Sequence, residues 1–85
     1  MRARTKRLPH PPDGAIVLWV LYDHPKDFPS EWVLRRWFVY QGRTEVEIDC
    51  IHGSDRDLVS GMIPAAAIQI GPSKFDDPVI AEVWT

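Results

Sequence analysis

Residues 15–22 read AIVLWVLY, eight apolar side chains in succession. A run of that length, rich in Ile, Val, Trp and Tyr, reads as a strand rather than a helix. Nothing in it alternates, so both of its faces call for cover and both of its edges call for neighbours. In a small domain that makes it the central strand.

The neighbours are legible downstream. Asp23-His24-Pro25 ends the first strand, and the loop runs on through Pro29. Residues 31–40 (EWVLRRWFVY) form the second strand. Trp32, Leu34, Arg36, Phe38 and Tyr40 share one face; Val33, Arg35, Trp37 and Val39 share the other. Gln41-Gly42-Arg43 is a hairpin turn in which Gly42 can take positive φ. Residues 44–51 (TEVEIDCI) read as the cleanest strand of the chain. Val46, Ile48 and Cys50 point one way, and Glu45, Glu47 and Asp49 point to solvent. Arg35 or Arg36 is then placed to pair with those acids across the strands.

Ser54 is the expected N-cap of a helix of two or three turns, with Asp55 and Asp57 in its first turn. Leu58, Val59, Met62 and Ile63 follow at helical spacing. Gly61 weakens the helix and Pro64 stops it. Ile68 and Ile70 suggest a short edge strand. Residues 78–84 (PVIAEVW) form the last strand, which returns to lie beside the first. The expected architecture is a two-layer α+β domain: an antiparallel sheet of four or five strands, in the order β-β-β-α-(β)-β, with one short helix on one face.

At 85 residues the chain has room for one such domain, spanning 14–85. Its core is small, and four tryptophans carry much of it. Residues 1–13 read as a disordered arm, and the first ten residues carry Arg2, Arg4, Lys6 and Arg7 with no acid. The other 75 residues hold 6 bases and 12 acids, a net of −6. A body of that charge is a poor general phosphate binder, so nucleic-acid contact rests on the arm and Arg35-Arg36. One cysteine permits no internal disulfide. No apolar run reaches the ~20 residues of a membrane span, and the start lacks a signal peptide's apolar stretch. A cytoplasmic setting without membrane contact is the expectation.

Asp23-His24 is raw material for acid–base chemistry, but Asp-His-Pro is equally a turn. Cys50-x-His52 has a spacing found in metal sites, but two further ligands are not in view, and Cys50 reads as a small core residue. Asp76-Asp77 are candidates for holding a cation or a partner's base, against a plain loop reading. No phosphate loop, CxxC pair, HExxH or GxSxG is present. No metal or cofactor is expected.

The stretch LYDHPKDFPSEWVLRRW (residues 21–37) resembles the opening of a group of short uncharacterised bacterial proteins. There a Tyr-Asp-His-Pro turn leads through an aromatic-proline pair into an Arg-Arg-Trp strand. The ending DDPVIAEVW (residues 76–84) is similar to theirs, as is Ile63-Pro64. The resemblance spans about half of the chain and brings no known activity. It implies a shared surface of Asp23, His24, Pro25, Arg35, Arg36, Trp37, Asp76, Asp77 and Trp84, gathered at one end of the sheet.

The functional expectation is a non-enzymatic interaction module acting through a protein partner or a homodimer, on a sheet face that one helix leaves bare. Nucleic-acid binding through the arm, and a small enzyme built on Asp23-His24 with Asp76 or Asp77, are the alternatives.

Overall fold

In the computed structural model, which describes residues 10–85, the apolar run becomes β1 (Ile16–Asp23), paired along both edges. On one side it meets β2 (Trp32–Tyr40) antiparallel over its whole length, from Ile16↔Val39 to Asp23↔Trp32. On the other it meets β6 (Ile80–Trp84), also antiparallel. β3 (Arg43–Val46) and β4 (Ile51–Gly53) pair in turn with the outer edge of β2. β5 (Gln69–Gly71) closes the far edge against β6. One antiparallel sheet of six strands results, and α1 (Arg56–Ser60) is its only helix among the described residues. Residues 1–9, which hold the four positive charges of the expected arm, lie outside the described residues. Residues 10–13 lead into a turn that the amide of Ala15 closes by donating to the Pro12 carbonyl, 3.1 Å away.

The β2–β3 connection is a two-residue hairpin loop. Gln41 (φ 48°) and Gly42 (φ 74°) both take the left-handed conformation that a type I′ turn demands. The β1–β6 ladder has a bulge: Leu21 opposes Glu82 while Tyr22 opposes Ile80, so Ala81 is extra. That residue packs against the core.

α1 lies on one face of the sheet, called here the helix face. Its Val59 closes the core with Leu21 and Leu34, and Trp19, Trp32, Ile51, Ile63 and Ala81 pack around them. Two expectations about this helix need correction. Its N-cap is Asp55, whose side chain accepts from the amides of Asp57 and Leu58, and not Ser54. It has five residues instead of two or three turns, because Gly61 caps it at once and Pro64 follows. So short a helix can bury one side chain, Val59, and leaves Leu58 and Met62 in solvent.

The strand expected over 44–51 is also corrected. From Val46↔Trp37 to Ile51↔Leu34 the chain spends five residues where β2 spends three. Residues 47–50 bulge out, and the alternation fails there. Glu47, placed in solvent by the pattern, is 7 % exposed; Ile48, placed inward, is 89 % exposed. The cause is Arg36, which sits on the helix face at 8 % exposure and requires an anion. Glu47 turns inward to supply it.

Candidate interaction surface

The nine residues of the expected surface do not gather at one place: Asp23, His24, Pro25, Asp76 and Asp77 belong to turns or strand ends, Arg36 faces the helix, Arg35 and Trp37 face away from it, and Trp84 ends β6 opposite Trp19. Asp23 and His24 stand exposed where β1 ends. The His24 Nδ1 and the Asp23 carboxylate are in direct contact, His24 has φ 51°, and its ring meets Trp32 edge-on at 5.4 Å between centroids. Asp77 lies at this same end: the Asp23 amide donates to the Val79 carbonyl at 2.8 Å, and the Val79 amide donates to Asp77 Oδ1 at 3.0 Å. The two aspartates thus lie at the same end of the sheet. Their carboxylates, however, serve separate turns. Among the described residues, no hydrogen bond or ion pair joins Asp23 or His24 to Asp76 or Asp77.

Arg36 is held on the helix face. Its Nε donates to Glu47 Oε1 at 2.8 Å and its Nη2 to Oε2 at 2.5 Å, while the Glu47 amide donates back to the Arg36 carbonyl at 2.9 Å. The guanidinium lies 5.6 Å from the Trp19 ring centre and 5.1 Å from that of Phe38. A second cation–aromatic contact lies nearby: Arg56 sits 4.8 Å from the Trp32 ring centre and bonds Glu82 at 2.6 Å, and Glu82 also accepts from Trp84 Nε1. Sequence reasoning paired the arginines with the acids but placed Glu47 in water. The usable signal was Arg36 itself, a charge among apolar neighbours on a strand face.

Arg35 and Trp37 belong to the opposite face. Arg35 donates to Asp27 at 2.7 Å and to the Ile48 carbonyl at 3.3 Å. These contacts fold residues 24–31 and 47–50 over one end of that face, where Val33 and Val20 are buried. Burial also pushes the Cys50 thiol above its usual range.

Away from those loops no helix or strand among the described residues is layered over the face, and Asp76 borders it. Across β1, β2 and β3 it presents the rows Ile16–Val39–Thr44 and Leu18–Trp37–Val46, all uncharged. Ile16 is 57 % exposed. None of the four tryptophans is fully buried. Toward β6 the surface sinks into a groove of about 230 Å³ lined by Leu18, Val20, Tyr22, Trp37, Thr44, Asp76, Ile80 and Val83. On its floor the Trp37 indole donates to the Tyr22 hydroxyl at 3.0 Å. Burial, ahead of any neighbouring charge, raises the Tyr22 pKa, which keeps this phenol neutral. The groove is mostly apolar and can take an apolar side chain.

Beside the groove stands a feature that the sequence did not single out. Residues 73–76 form a tight turn, in which the Ser73 amide donates to Asp76 Oδ2 at 2.8 Å and the Asp76 amide to the Ser73 carbonyl at 3.1 Å. The turn carries Phe75, which is 87 % exposed. Among the described residues, no group of three or more metal-ligating side chains gathers, and no helix is long and apolar enough to cross a membrane.

Comparison with protein-family models, with curated proteins and with solved structures found no match for this chain.

Proposed function

We propose that this domain is a binding module that works through its open sheet face, on a protein partner or on a second copy of itself. One observation carries the reading: three of the six strands present two uncharged rows, Ile16–Val39–Thr44 and Leu18–Trp37–Val46, over which no helix or strand among the described residues is layered. An apolar face on a body with a net charge of −6 outside its first ten residues is what an interaction patch looks like. The alternatives draw less support. Arg36 is taken up by Glu47 and Arg35 by Asp27, which leaves nucleic-acid contact to the arm. Asp23-His24 and Asp76-Asp77 serve separate turns, which weakens the enzymatic reading. A reducing cytoplasm suits a chain with a single cysteine whose thiol is shielded.

The test is native mass spectrometry of the full chain beside its Val46→Glu variant. Val46 is 40 % exposed, and a thermal melt of the variant separates loss of the complex from loss of the fold. The reading expects a protein complex of fixed stoichiometry that the variant loses. A complex indifferent to Val46→Glu would overturn it.

A further inference from the structure

Phe75 stands 87 % exposed on a turn closed by its own hydrogen bonds. Its amide donates to Ser73 Oγ at 3.2 Å, which holds the backbone of the turn, and the Lys74 ammonium lies 5.3 Å from its ring centre. An aromatic side chain is a usual form of interface anchor. Its neighbour Asp76 lines the apolar groove, so knob and hole lie side by side on one surface.

Resting on the reading that the open face is the binding surface, we infer that its partner is a second copy of this chain, and that the two copies exchange Phe75 into each other's groove about a two-fold axis. Adjacent knob and hole are what such an exchange requires, since each patch must complement itself. The charges agree. The turn runs Lys74-Phe75-Asp76-Asp77, basic on one side of the ring and acidic on the other. Turned about the axis, Lys74 of one copy meets Asp76 and Asp77 of the other. The uncharged rows Ile16–Val39–Thr44 and Leu18–Trp37–Val46 then face their counterparts. Each exchanged ring buries roughly 150–250 Å², and the facing rows extend the contact toward the ~1,200 Å² at which specific interfaces begin.

Sedimentation equilibrium on the full chain tests this, with three variants at exposed positions: Phe75→Ser removes the knob, Thr44→Lys puts a charge into the hole, and Lys74→Glu reverses the complementary charge. Wild type is expected to dimerise. Phe75→Ser and Thr44→Lys are each expected to weaken dimerisation by roughly 1,000-fold or more, because each variant dimer loses both exchanged rings at roughly 30-fold apiece, and Lys74→Glu to weaken it less. Mixing the Phe75→Ser and Thr44→Lys chains is expected to restore part of the association, because the second chain's ring still fits the first chain's groove. A dimer unmoved by Phe75→Ser and Thr44→Lys overturns the exchange. A monomeric wild type overturns it too; if that monomer still forms a complex with another protein that Val46→Glu abolishes, the open face stands as the binding surface and only the second copy falls.

Discussion

Replacing Glu47 with alanine should destabilise this domain far more than its place in an acidic stretch suggests. The carboxylate accepts two hydrogen bonds from Arg36, at 2.8 and 2.5 Å, and the two side chains keep only 6 % and 9 % of their exposure. Removing one partner of such a pair leaves a charge in a place that water hardly reaches, at a cost of about 3–5 kcal/mol. The low end applies here, because Trp19 and Phe38 still flank the guanidinium and a little solvent remains. A loss of about 3 kcal/mol in a domain this size lowers the melting temperature by roughly 12–24 °C. Urea unfolding followed by tryptophan fluorescence reads it directly, as a shifted midpoint at unchanged slope. Arg36→Met/Glu47→Leu should recover most of the loss, since an apolar pair removes both charges together. If Glu47→Ala costs less than about 0.5 kcal/mol, Glu47 behaves as a surface acid and the packing described for 47–50 is wrong.

Three further outcomes follow from the same packing. Leu21→Ala empties a fully buried core position, at 0 % exposure, and should cost about 2–5 kcal/mol by the same urea assay. Asp55→Ala removes the N-cap of a five-residue helix and should cost about 1 kcal/mol, read as faster amide exchange at Asp57 and Leu58. Burial, ahead of the charges near it, raises the Cys50 thiol above its ordinary 9.0. Its thiolate fraction in the folded protein is therefore below that of the unfolded chain at any pH under that value, so alkylation at pH 8 should speed up when urea is added; equal rates in both states would contradict the burial.

The sheet was legible in the sequence because its signals are local and redundant. The unbroken 15–22 run demanded two neighbours and has them in β2 and β6. The Gln41-Gly42 turn set the hairpin, and the alternation of 31–40 put Arg35 and Arg36 on opposite faces. Failure came where one tertiary demand overrode a local pattern. Residues 44–51 alternate well, but Arg36 on the neighbouring strand required an acid inside, and satisfying it turned Glu47 in and Ile48 out. Sequence periodicity cannot express a requirement set by a residue eleven positions away. The helix was overestimated for a different reason. Apolar residues at helical spacing were counted, though Gly61 ends the helix before Met62 can reach the core. Of the candidate surface, the bare sheet face was foreseeable from one short helix over many aromatics. Phe75 was not, because the Ser73–Asp76 hydrogen bonds that hold it out are geometry and leave no mark on composition.

The most direct measurement is size-exclusion chromatography with light scattering on the full chain at low salt, with absorbance recorded at 260 and 280 nm. The account predicts twice the chain mass, with a protein-like absorbance ratio that high salt leaves unchanged. A monomer carrying excess 260 nm absorbance that salt removes would contradict it, and would move the chemistry from the open sheet face to the basic residues at the start of the chain.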